Sequence, residues 1–146
     1  MNSKDYKKIS MKKFNLNNYN CCQAVLCTYC EEFGLSENIA FKLTEGFGSG
    51  MGGLKDTCGA VTGMFLVLSL ANSAGNKNNP LETKQETYRI FQEMAREFEE
   101  ICSSRYCQKL RNIQKQKKKI SCEYCVEVAN ELLLNDELSI QVRHFF

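Results

Sequence analysis

An all-α fold, with five or six helices bundled around a central apolar helix at residues 58–71, is what this sequence predicts. Three observations carry that prediction. Alternating runs of β-branched and aromatic residues, the mark of strands, are nearly absent, while helical periodicity recurs along the chain. The longest apolar run, Gly59 to Ala71, has about a dozen residues. That is too short to cross the ~30 Å core of a bilayer, so it reads as the buried helix of a soluble domain with no membrane span.

The elements follow in order. Residues 1–17 begin MNSKDYKKISMKK, positive but with no apolar stretch behind, so no export is read and the segment is expected to be flexible or loosely packed. Asn20 to Phe33 reads as a helix stopped by Gly34. Ser36 caps a second helix, which runs to a glycine-rich stretch. Asp56 or Thr57 caps the apolar third helix, which ends near Ala71. Asn72 to Pro80 (NSAGNKNNP) reads as a loop, with Pro80 suited to the first turn of the next helix. There Tyr88, Phe91, Met94, Ala95 and Phe98 form an apolar stripe, and Glu93, Glu97, Glu99 and Glu100 fall on the solvated side. Ser103 or Ser104 opens a short helix, and Ser121 opens a last one bearing Val126, Ala129, Leu132 and Leu133. The 146 residues show no internal repeat and are read as one domain, 1–146.

A net charge of +2 provides no broad basic field for nucleic acid or an anionic membrane. The basic run Gln114 to Lys119 therefore reads as a solvated connection. His144 is the sole histidine and lies in the tail, which argues against His-based triads and His-containing zinc sites.

Seven glycines and one cysteine stand between Gly46 and Gly63. Gly48-Ser-Gly-Met-Gly-Gly53 fits the letters G-x-G-x-x-G. That fingerprint binds phosphate only after a strand and inside a βαβ unit, whereas Ser36 to Thr44 reads as a helix. The Walker pattern fails as well, because Lys55 is followed by Asp56 and does not directly follow the last glycine.

Nine cysteines are the unusual feature. Without export they stay reduced, which points to metal or redox chemistry before a disulfide framework. Four of them coincide with expected helix starts. Cys21 follows Asn20, Cys58 follows Thr57, Cys122 follows Ser121, and Cys107 lies about a turn after Ser103-Ser104. Unpaired N–H groups and the positive dipole end at a helix N-terminus stabilise a thiolate and lower its pKa from about 8.5. The thiolate is the form that attacks, binds metal or ligates a cluster. The glycine loop would then deliver Cys58 at a tight turn. The C-x-x-C pairs Cys27/Cys30 and Cys122/Cys125 lie too far apart for a zinc ribbon, and neither is followed by the histidine of haem attachment. Cys27, Cys30, Cys22 and Cys102 are assigned to packing, and Cys125 is left open.

Asn20-Cys21-Cys22-Gln23-Ala24-Val25, Gly46-Phe47-Gly48-Ser49-Gly50-Met51 and Cys58-Gly59-Ala60-Val61-Thr62-Gly63 resemble the redox-active C-GCAxxG-C-C family. Ser103-Ser104-Arg105-Tyr106-Cys107-Gln108-Lys109-Leu110 and Cys122 before Val126 continue the likeness, over about residues 18 to 135. The resemblance implies a small prokaryotic helical protein whose four characteristic cysteines are Cys21, Cys58, Cys107 and Cys122. It also implies kinship with the iron–sulfur part of split-Soret cytochromes, although the haem motif is missing here. Ser103 stands where a glycine is usual, and Cys22 where a small residue is usual.

The leading expectation is that Cys21, Cys58, Cys107 and Cys122 bind one iron–sulfur cluster for electron transfer, with a redox protein as partner in the cytoplasm. Whether the chain pairs as a homodimer is left open. A metal-free thiol–disulfide protein using the same cysteines is the alternative, and a partner-binding module with a structural zinc site is the third.

Overall fold

The computed structural model describes residues 4–116 and 120–135. Among them are seven helices and no strand. These are α1 (Tyr6–Leu16), α2 (Cys21–Tyr29), α3 (Glu37–Thr44), α4 (Gly59–Asn72), α5 (Lys84–Cys102), α6 (Cys107–Gln116) and α7 (Cys122–Asn135).

The apolar run forms α4, which packs against α2, α5 and α7. Ala60, Val61, Met64, Val67 and Leu68 of α4 join Val25 and Leu26 of α2, Met94 and Phe98 of α5, and Val126, Ala129 and Leu133 of α7 in one buried cluster. Helices α4 and α2 approach closely. A Cβ at Gly63 would stand 2.8 Å from Val25 Cβ and 3.0 Å from the Cys22 carbonyl. At Gly59 it would stand 3.1 Å from Cys21 Cβ. The two glycines, four apart on one face, thus let the start of α2 lie directly on the start of α4.

Local signals explain most ends. Asn20 and Gln23 close a reciprocal capping box on α2, with the Gln23 N–H donating to Asn20 Oδ1 at 2.8 Å and the Asn20 N–H to Gln23 Oε1 at 2.9 Å. A 3₁₀ turn, Cys30–Phe33, continues α2 to Gly34, which is left-handed at φ 80° and donates its N–H to the carbonyls of Cys30 and Glu31. Ser36 caps α3.

Several expectations need correction. The seventh helix is α1, within residues expected to be loosely packed. Asp5 caps it, Tyr6 stacks on Tyr29 with ring centroids 5.0 Å apart, and Ser10 Oγ donates to the Ala24 carbonyl at 2.8 Å. Its buried face holds a tyrosine and a serine, so a count of apolar spacing passes over it. Cys58 itself, not Asp56 or Thr57, is the N-cap of α4. Helix α5 starts at Lys84, because turns occupy the residues after Pro80. Its buried stripe runs through Thr87, Ile90, Met94, Ala95, Phe98 and Cys102, while Tyr88 is 53% exposed. Ser103 ends α5 rather than opening α6, in a left-handed conformation at φ 78°. A glycine suits that conformation better.

Tyr29 and Asn130 join α2 to α7 in the core. The Tyr29 hydroxyl donates to Asn130 Oδ1 at 2.7 Å, and Asn130 Nδ2 donates to the Val126 carbonyl at 2.9 Å; both residues are fully buried. Asn130→Ala takes away the hydroxyl's acceptor and is expected to cost about 1–3 kcal/mol in urea unfolding. In the Tyr29→Phe background the same change should cost clearly less.

Candidate thiol site

Four of the nine cysteines stand at helix starts. Cys21 opens α2, whose cap Asn20 also donates from Nδ2 to the carbonyls of Thr44 at 3.3 Å and Glu45 at 3.1 Å. Those bonds tie the start of α2 to the end of α3. Cys58 caps α4, Cys107 opens α6, and Cys122 opens α7 behind Ser121, whose Oγ accepts the Tyr124 N–H at 3.0 Å.

Backbone bonds hold Cys58 and Cys107 side by side. Thr57 and Tyr106 form an isolated antiparallel bridge. Around it the Cys58 N–H donates to the Arg105 carbonyl at 2.8 Å, and the Cys107 N–H to the Asp56 carbonyl at 2.7 Å. The glycine stretch wraps this bridge. Ser49, Gly50, Met51, Gly52 and Gly53 all have positive φ, between 50° and 88°, as does Lys55 at 60°. The result is a left-handed turn, in which the Gly52 N–H donates to the Gly48 carbonyl at 2.8 Å. Non-glycine residues in that region cost about 1–3 kcal/mol each, so Ser49, Met51 and Lys55 are strained. Gly50 has no alternative, since a Cβ there would meet Cys107 Cβ at 2.6 Å. The loop therefore forms a wall against Cys107.

Cys21, Cys58, Cys107 and Cys122 line one cavity of about 240 Å³. Cys125 joins them, one turn along α7 from Cys122, and Arg111 is the one charged side chain in the lining among the described residues. Arg111 Nε donates to Cys107 Sγ at 3.3 Å and Nη2 to Ser49 Oγ at 3.4 Å. Spacing holds the signal for both additions, because Cys125 and Arg111 follow an expected site cysteine by three and four residues on a helix face. Glu99, on the partly exposed side of α5, pairs with Arg105 at 3.0 Å.

The thiols are not alike. Cys58 is held below its ordinary pKa by a hydrogen bond from the Cys125 thiol and, against its burial, by the N–H groups of Ala60 and Val61. Cys122 is lowered to about 6 by a hydrogen bond from the Cys21 thiol, the Arg111 charge and its own N–H, again against burial. Cys21 moves the other way, well up, by that same bond to Cys122 and by burial. Helix-start N–H groups thus add to the lowering at Cys58 and Cys122 behind the neighbouring thiol, while Cys21, the donor to Cys122, moves up. Cys125 is raised by its bonds to Cys102 and Cys58 and by burial.

The remaining cysteines pack. Cys22, Cys27, Cys30 and Cys102 are buried, and burial raises Cys22 and Cys27 to about 12 and Cys30 to about 11. Cys21, not Cys22, is the cysteine of that pair at the cavity. Among the described residues, no three His, Cys, Asp or Glu side chains are grouped to hold one metal ion. His144 and Lys117–Lys119 lie outside the described residues.

Residues 19–135 match the family described as "Putative redox-active protein (C_GCAxxG_C_C)". The chain belongs to this family. No curated protein and no solved structure matches it. In this redox-active family member the stretch Cys58–Gly63 is where α4 meets α2, and a Cβ at either of its two glycines would crowd α2. No helix among the described residues is long and apolar enough to cross a membrane.

The unequal thiols give a prediction for metal-free, reduced protein. A cysteine whose folded pKa is depressed contributes stability that is present above the unfolded value and lost as pH falls through the folded one. For Cys122 that window runs from the ordinary thiol value of 9.0 down to about 6. Iodoacetamide labelling of Cys122, mapped by mass spectrometry, should follow thiolate formation with a midpoint near pH 6. Arg111→Gln should move that midpoint up by removing a stabilising positive charge.

Proposed function

We propose that Cys21, Cys58, Cys107 and Cys122 hold an iron–sulfur cluster through which the protein transfers electrons. One observation carries this reading: these four side chains, from four separate helix starts, line a single cavity. Four thiolates are the usual ligand set of [2Fe–2S] and [4Fe–4S] clusters, and soft sulfur donors suit iron–sulfur chemistry. Bound there, the cluster would supply one-electron chemistry. The chain's own residues supply the rest. The thiolates would ligate it, Arg111 sets a positive charge against the sulfur of Cys107, and Leu110, Phe14 and Ile120 of the lining limit water. The chain is read as a single-domain bundle in the cytoplasm, where such thiols stay reduced.

A metal-free dithiol mechanism is the second reading. Its support is the pairing of Cys21 with Cys122 and of Cys58 with Cys125 across hydrogen bonds. Anaerobic reconstitution of reduced protein with ferrous iron and sulfide separates the two. The cluster reading expects a brown protein whose electron paramagnetic resonance signal changes on adding dithionite. Failure to take up iron, together with reversible two-electron thiol oxidation, would replace it with the dithiol reading.

A further inference from the structure

Charge is unevenly placed in this chain. The whole sequence has net +2, yet from Arg105 to Lys115 stand Arg105, Lys109, Arg111 and Lys115 with no Asp or Glu. Among the described residues Lys4, Lys7, Lys13, Arg89 and Arg105 each pair with a glutamate, Arg105 alone from this stretch. Among the described residues Lys55 and Lys115 form no such ion pair. They line a groove of about 320 Å³ together with Gln108, Arg111 and Gln114, and no acidic side chain among the described residues is in its lining. Asp56 is exposed next to Lys55 but does not line it.

This groove shares Arg111 and Gln114 with the thiol cavity. Its position is fixed by backbone, because the Gln108 N–H donates to the Lys55 carbonyl at 3.1 Å and the Lys55 N–H to the Ser49 carbonyl at 3.2 Å. Beside Lys55, Leu54 is 79% exposed. An unpaired basic rim with an apolar side chain next to it is the make-up of a protein-docking face. No aromatic side chain among the described residues lines the groove, so they provide no stacking platform of the kind single-stranded nucleic acid uses.

We propose that Leu54, Lys55, Arg111 and Lys115 form the docking surface for an acidic electron-carrier protein. This rests on the redox reading of the adjoining thiols and names the partner's chemistry. Opposite charges steer the encounter and orient a small, short-lived complex. A carrier seated there is separated from the thiol cavity by the shared Arg111 and Gln114 side chains.

The test uses the full chain and two acidic probes, a plant-type ferredoxin and a flavodoxin, with a basic cytochrome c and a single-stranded DNA oligomer as comparisons. Binding is measured by calorimetry at low salt and at about 0.3 M salt, where screening shortens the reach of charge. An acidic carrier should bind at low salt and lose about tenfold in affinity at the higher salt. Lys55→Glu with Lys115→Glu should weaken it by about tenfold. Lys8→Glu with Lys12→Glu, the same charge change on exposed residues of α1, should weaken it less than about twofold. Binding of neither carrier, equal losses in both double variants, or tighter binding of the cytochrome or the DNA would overturn the proposal. Circular dichroism checks that the variants fold, and iron is assayed separately. Iron-free protein that binds a carrier on this face ends the cluster reading alone; iron-loaded protein that binds neither carrier ends the docking proposal alone.

Discussion

Cys58→Ser is expected to keep the wild-type helix content and to lose bound iron altogether. The fold does not depend on the sulfur. Cys58 is the N-cap of α4, where serine is a favoured residue. Its N–H would still donate to the Arg105 carbonyl, leaving the bridge between Thr57 and Tyr106 in place. The ligand set does depend on it, because a serine hydroxyl is a poor substitute for thiolate at iron. Cys125→Ser supplies the comparison: Cys125 also lines the cavity but stands outside the proposed ligands, so that variant should retain iron. Circular dichroism beside an iron assay decides. Full iron in Cys58→Ser, or equal loss in both variants, would count against the assigned set.

Gly63→Leu should be the most damaging single change to the fold. At 2.8 Å from Val25 Cβ and 3.0 Å from the Cys22 carbonyl, even the Cβ has no room. One of those neighbours is backbone, so α2 and α4 must separate. Overpacking of this kind costs about 1–3 kcal/mol, and a leucine on a main-chain contact belongs at the upper end. Since Cys21 and Cys58 begin those two helices, the change should also lower iron retention. Urea unfolding measures the first effect and iron content the second; unchanged stability would show that the helix contact is not rigid. NAD, FAD and ATP are expected to leave the wild-type melting temperature unchanged, because the glycine loop is occupied with Cys107 and Asp56.

Much of this arrangement was legible in the residues. The capping letters of Asn20, Ser36 and Ser121 mark where three helices begin, and the run from Gly59 marks the buried one. Cap chemistry is local, so sequence carries it well. The features that escaped depend on neighbours distant in the chain. Helix α1 is secured by Ser10 reaching the Ala24 carbonyl, a polar contact without a periodic signature. Ser103 resembles a helix opener by type, yet it takes the left-handed position that ends α5, and α6 begins only at Cys107. The opposite shifts of Cys21 and Cys122 come from two helix starts distant in the chain. No spacing rule predicts that.

The most direct measurement is the iron, acid-labile sulfide and zinc content of the full-length protein purified without oxygen. The account predicts a brown protein with iron and sulfide in matched amounts and no zinc, and a loss of that iron when Cys21, Cys58, Cys107 or Cys122 is replaced one at a time by serine. A colourless protein carrying stoichiometric zinc, or one free of metal that keeps reversible thiol oxidation, would contradict it.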